Sequence, residues 1–381
     1  MRRIVVVSVI AAATQMGGWC APAQAQSVTL YGIVDTGVEY LHNANPAGQA
    51  LVRMPALTGE VPARWGLTGS EPLGDGYRAI FTLENGFTVG TGLQGQGGRL
   101  FGRQALVGLD GPLGALTLGR QYSMLLWANY SADFIGPNIY GINSFDTWLA
   151  APRSDNTVVY RKSFNGLNVG ATYSFGRDAS PTGGSNTPGE GTCAGSIPGN
   201  SAACREWSTL LQYQANNWGV ATAYDRQNGG PGSAVNLFNG LTPLPMTDSG
   251  NRDSRFLVGA NLKFEKFLFG AVWIDRRVEV DSHATPSITS NQFALEGEYK
   301  ITPSLLFDGF AQRIVNSQQD TRANMEMTRV TYLLSVRTAV YAQVAFMQNS
   351  HHAAYSVSAA GGTPAKGMNQ AAAMVGMRQS F

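Results

Sequence analysis

Past its first thirteen residues, this 381-residue chain has no long apolar run. A membrane-crossing helix needs roughly 18 or more consecutive apolar residues, so none is expected in the body of the chain. Charge is scarce too. Asp, Glu, Lys and Arg make up 14% of residues, where a soluble domain carries about a quarter. Only four histidines are present, His42, His283, His351 and His352. None stands in a recognisable Ser-His or Asp-His arrangement, which argues against an enzyme. His351-His352 reads as a solvated loop pair, so neither a metal nor a cofactor is expected. Nor is there an excess of either sign: 27 basic residues face 25 acidic ones. Nothing in that balance favours a nucleic-acid partner.

The beginning of the chain has the make-up of an export leader. Arg2 and Arg3 supply the positive end, residues 4–13 the apolar stretch, and Ala23-Gln24-Ala25 a small-x-small cleavage site. Residues 1–25 are therefore expected to be a signal peptide, with the mature protein spanning 26–381 as one unit. Its loss removes two arginines and leaves 25 charges of each sign. Of three cysteines, Cys20 goes with the leader. Cys193 and Cys204 remain, close together in one Gly/Ser/Pro-rich loop, and in an exported protein such a pair is expected to form a disulfide.

What the chain does have is alternation. Leu167, Val169, Ala171, Tyr173 and Phe175 fall on one face, with Asn168, Gly170, Thr172 and Ser174 on the other. Phe256, Val258, Ala260, Leu262 and Phe264 oppose Gly259, Asn261 and Lys263; Tyr77, Ala79, Phe81 and Leu83 oppose Arg78, Thr82 and Glu84. Val340, Ala342, Val344 and Phe346 oppose Tyr341 and Gln343. The tail does the same: Ala371, Ala373, Val375, Met377 and Phe381 share a face, with Gln370, Arg378 and Ser380 opposite. Successive strand side chains point to opposite faces, so each segment has one apolar and one polar side. Short turns at Leu73–Gly76, Gly111–Gly114, Asn165–Gly166, Asn216–Asn217, Glu265–Lys266, Ile301–Pro303 and Arg337–Thr338 alternate strictly with long loops. The loops lie near 42–60, 88–100, 122–154, 177–205, 228–252, 281–290, 316–325 and 349–367. A soluble β-sandwich has no reason to alternate its loop lengths. An up-and-down membrane barrel does, with tight turns at one rim and long loops at the other. The count is about sixteen strands, a size that leaves an aqueous channel. Only a closed barrel or a helix satisfies every backbone N–H and C=O inside lipid.

Several segments also resemble a known family. Gln26–Asp35, Arg64–Glu71, Ala79–Phe87, Leu100–Ala105, Thr117–Tyr122, Asp155–Tyr160 and Gly376–Phe381 are similar, in order, to strand motifs of β-proteobacterial general diffusion porins. The resemblance implies an all-β, 16-stranded antiparallel transmembrane barrel, assembled as a homotrimer in the outer membrane. It implies an inward-folded third loop, here Ser123–Arg153, whose Tyr130, Phe134, Tyr140, Phe145 and Trp148 are expected to pack against the wall. Ions and small hydrophilic solutes would be the permeants, lipid the surroundings, and Phe381 an assembly signal for the barrel-insertion machinery. Gln379 and Ser380 depart from the basic or aromatic residues usual before that Phe.

A pore selects by width and by the field at its narrowest point. The resemblance places constriction arginines at Arg64, Arg103 and Arg153. Arg64 shares parity with Gly66, Thr68 and Ser70, which supports a lumen position, whereas the parity of Arg103 is undecided. Arg78 is inward by alternation, and Arg120 and Arg161 are further candidates. The expected acidic side comprises Asp133 and Asp146 in the infolded loop, with Glu84 on the wall. Cations outnumber anions in this set, so a mild anion preference is expected. A substrate-specific channel of the same fold is the main alternative, kept open by Tyr31 and Tyr341 on the lumen parity.

Overall fold

In the computed structural model, residues 27–56, 58–149, 152–178, 193–280, 287–358 and 361–381 are described; the expected leader and His283 lie outside them. Sixteen long strands run in chain order: β1 (Ser27–His42), β2 (Arg64–Gly74), β3 (Tyr77–Gly86), β4 (Gln104–Gly111), β5 (Gly114–Tyr122), β6 (Arg153–Phe164), β7 (Leu167–Ser174), β8 (Glu206–Gln214), β9 (Trp218–Asn228), β10 (Arg252–Phe264), β11 (Phe267–Glu279), β12 (Ile288–Thr302), β13 (Leu305–Asn316), β14 (Thr321–Leu333), β15 (Thr338–Asn349) and β16 (Gln370–Ser380). Each is antiparallel to the next, and β1 closes the ring against β16 along Ile33–His42. The other edge of β1 pairs with β2 along Ser27–Ile33. At the seam the backbones of Gly32 and Phe381 exchange two hydrogen bonds of 3.0 Å.

The tight turns have local causes. Asn165 and Gly166 both sit at positive φ, 48° and 81°, which is the backbone of a two-residue hairpin twisted to match its strands. Among the described residues no helix is long and apolar enough to cross a membrane. The alternation of loop lengths is not strict, however. The seventh outer connection is only residues 317–320 between β13 and β14, as short as an inner turn, because β14 begins earlier than its polar sequence suggests.

Outside, the apolar parity is exposed: Val107, Leu118, Leu211, Val258, Phe293, Leu295, Val344 and Val375 all point away from the lumen. In lipid such a band is stable, and burying a charge there costs about 2–4 kcal/mol at mid-depth. Inside, the simple rule of a polar lumen fails along one arc. Ala221, Ala223, Leu257, Val272, Ile274 and Ala294 line the inner face of β9–β12 and form a buried cluster with Met124, Leu125, Ala128, Ala132, Ile142, Trp148 and Leu149 of the third loop. A second cluster joins Ile135, Ile139, Tyr140 and Phe145 to Phe310, Ile314, Met325, Tyr341 and Met347 on β13–β15. The core of this barrel is the contact between an infolded loop and the wall it covers.

Candidate functional site: the wall and loop charges

The third loop leaves β5 through a short helix, α1 (Met124–Asn129), and is tied to the far wall strand by strand. The Met124 amide donates to Ser208 on β8 at 2.8 Å, and Asn261 on β10 donates to the Ser131 carbonyl at 2.5 Å. Glu296 on β12 accepts from the Phe134 and Ile135 amides, and Gln312 on β13 donates to the Gly141 carbonyl. Asn138 reaches Gln343 on β15 at 2.8 Å. Glycine makes the closest approach possible: a Cβ at Gly270 would collide with the Ala132 carbonyl. Tyr140, Phe145 and Trp148 are buried as expected, and Phe134 is partly packed. Tyr130 is not packed away; at 43% exposure it faces the lumen, within electrostatic reach of Arg103, Arg64 and Asp133.

On the near wall of β1–β6 three of the expected arginines gather, Arg103 and Arg153 buried and Arg64 partly exposed. Arg103 precedes β4 and donates to Glu84 at 2.7 Å and to the Tyr122 hydroxyl at 2.7 Å. These partners resolve its parity: it faces inward. Arg64 approaches the other oxygen of Glu84 at 3.6 Å, and the Tyr31 hydroxyl donates to that oxygen at 2.9 Å. The Arg153 guanidinium lies 5.4 Å from the centroid of the Tyr122 ring. Tyr122 thus joins Arg103 to Arg153, a link the sequence did not suggest.

The remaining candidates are distributed differently from expectation. Asp146 does not face these arginines; it is held by Arg255 at 2.7 Å and Arg276 at 3.3 Å on β10 and β11. Both arginines were missed, although Arg255 lies on the parity opposite Phe256 and Val258. Asp133 also turns away, accepting from Asn129 at 2.9 Å and from the Gly136 amide at 2.6 Å. Its neighbour on the wall is another carboxylate, Glu296. The carboxylate that does meet the near-wall arginines is Glu84, so it is a wall residue rather than a loop residue that divides the charge there. Arg78 pairs with Asp110 beside the 111–114 turn and is largely exposed, at the opposite end of β3 from Glu84. Arg120 binds Asp155 at 2.6 Å and the Gly102 carbonyl, in a cluster that Arg99 completes by reaching Asp155 and Asp178. Arg161 stacks on Trp127 of α1, 3.8 Å from the ring centroid.

At the outer rim, Cys193 and Cys204 are bonded, with Cα atoms 5.1 Å apart, and the Cys204 amide donates to Gly229 of the next loop. His352 meets Asp320 at 2.9 Å. Among the described residues no group of three or more His, Cys, Asp or Glu could hold a metal ion.

Comparison with known proteins agrees with this architecture. A family model described as Gram-negative porin matches residues 7–352. Outer membrane porin protein 32 of Delftia acidovorans is 28% identical across 98% of this chain and 99% of its own. An outer membrane porin of Bordetella pertussis is 35% identical, over 57% of this chain and 58% of its own. Among solved structures, an anion-selective porin from Comamonas acidovorans superposes with a TM-score of 0.73 at 22% identity, covering 94% of this chain and 100% of its own. A closed sixteen-stranded barrel with an apolar outer band and a charged interior, matched end to end by such relatives, belongs to the Gram-negative porins, channel proteins of the outer membrane rather than enzymes.

Proposed function

We propose that this chain forms a water-filled channel for passive diffusion of ions and small hydrophilic solutes, with a mild anion preference set at Arg64, Arg103 and Arg153. One observation carries the reading. Arg64 and Arg103 share a single near-wall carboxylate, Glu84, and Arg153 lies against the Tyr122 ring, while Asp146 of the third loop is engaged on the opposite wall and Asp133 within the loop itself. A cation excess beside a narrowed aqueous path raises the local anion concentration and orients dipolar solutes. The solved relative described as an anion-selective porin points the same way. Tyr31 and Tyr341 donate to wall carboxylates, Glu84 and Asp35, which favours general diffusion over an aromatic track for one solute.

The reading includes a homotrimer in lipid, inserted through recognition of the Phe381 end by the barrel-insertion machinery. Planar-bilayer recording across a salt gradient tests the channel, and a heat-modifiable band on a gel tests the trimer. The reversal potential should report anion preference, and Arg64→Ala should enlarge conductance while reducing that preference. A clear cation preference in the natural protein would refute the assignment. Liposome swelling should track solute size; saturable block by one solute class would favour a dedicated channel instead.

A further inference from the structure

The pairing of β1 contains a mismatch. On the edge that faces β2, Tyr40 and Glu39 pair with Val52 and Arg53, and pairing resumes at Ile33 with Arg64. Between those points β1 contributes residues 34–38, five positions, whereas the opposing chain contributes residues 54–63, ten positions. Ten residues cannot stay in a ladder built for five, so this segment must leave the sheet. Its sequence suits departure: Pro55 and Pro62 lack the N–H that a ladder position uses.

The segment goes inward. The Val61 amide donates to Asp35 at 2.7 Å, and the Glu60 amide donates to the Tyr341 hydroxyl at 3.2 Å. Both partners stand on the lumen faces of β1 and β15. A Cβ at Gly59 would clash with Tyr341, Asp35 and Met374, three inward side chains. The Gly59 carbonyl also accepts from the Ile139 amide of the third loop at 3.1 Å. Residues 58–63 thus lie beside the infolded loop, over the lumen faces of β1 and β15.

At the centre of this segment sits Glu60, 5% exposed. Its two oxygens face Arg329 of β14 at 3.4 Å and Arg378 of β16 at 3.2 Å. Arg329 has a wall partner in Asp308 at 3.0 Å, whereas the Arg378 side chain remains a quarter exposed. We propose that residues 58–63 form a second constriction element, in which Glu60 screens Arg329 and Arg378 from passing ions and so limits the anion preference of the channel.

This inference rests on the channel reading, and the experiment separates the two. Glu60→Gln keeps the shape and removes the charge. It should raise the anion-to-cation permeability ratio, by about two-fold, because losing one negative charge strengthens the positive potential that the low-dielectric cleft focuses on passing ions. Glu60→Gln combined with Arg378→Gln should return the ratio towards that of the natural protein. Deletion of residues 56–60 leaves five positions opposite 34–38, withdraws the segment from the lumen, and should increase single-channel conductance. A ratio unmoved by Glu60→Gln, in a protein where Arg64→Ala does move it, would overturn the screening role and leave the channel standing. A folded deletion variant of unchanged conductance would remove the segment from the ion path. If the natural protein failed to conduct, the channel reading itself would fall.

Discussion

The near wall of β1–β6 and the far wall of β10–β14 are both rich in arginine, yet the group Arg64, Arg103 and Arg153 on the near wall is held differently from the arginines of the far wall. On the far wall Arg255 and Arg276 are clamped by Asp146 and Asp253, and Arg329 by Asp308 and Glu60. On the near wall Arg64 and Arg103 divide one glutamate, and Arg153 lies against a tyrosine ring. The far-wall charges hold a loop in place; in the function proposed above, the near-wall charges act on what passes, with Arg64 the most exposed of them. Residue type does not decide which task an arginine performs. The number of carboxylates within reach does.

Breaking the far wall should have the largest effect. Asp146→Ala would leave Arg255 and Arg276 buried without their loop partner, and losing one member of a buried ion pair costs about 3–5 kcal/mol. The third loop should detach, giving larger and noisier single-channel currents and a lower melting temperature. Quiet currents of natural size would mean that the apolar cluster alone holds the loop. Next comes Glu84→Gln, which releases the near-wall arginines from their one shared acid. Anion preference should rise by about two-fold without loss of stability beyond about 1–3 kcal/mol, read from reversal potentials and thermal unfolding side by side. A smaller effect is expected at Arg78, at the inner mouth and largely exposed. Arg78→Ala should shift selectivity by less than Arg64→Ala in the same recording, and an equal shift would move the selective zone towards that mouth. Smallest for transport is the rim disulfide, which touches neither wall. Reducing Cys193–Cys204 opens a loop of sequence separation 11 and should lower stability by about 3 kcal/mol at most, leaving the reversal potential unchanged.

The barrel was legible in the sequence because its information is local. A period of two needs only neighbouring residues, and the Asn165-Gly166 turn announces itself in two letters. The clamps were not legible, because Asp146 and Arg255 are 109 residues apart and meet only once loop path and strand register are both fixed. Parity was a partial guide. It placed Arg64 and Glu84 inward, and it would have found Arg255 opposite Phe256, but it is silent at Arg103, just outside the strand it precedes. It also misled along β9–β12, where the inner face carries Leu257, Val272 and Ile274 because a loop rather than water lies against them. The excursion of residues 54–63 went unread for a related reason: ten positions facing five become visible only when both sides of the ladder are known.

The seam that joins β1 to β16 carries a consequence for biogenesis. The strand made first finds one of its neighbours only in the strand made last, and Gly32 waits for Phe381 to complete its hydrogen bonds. A nascent or truncated polypeptide therefore presents two raw sheet edges, which hydrocarbon does not tolerate. Closure is therefore all-or-nothing: until β1 meets β16, both edges stay open and no sealed conduit exists.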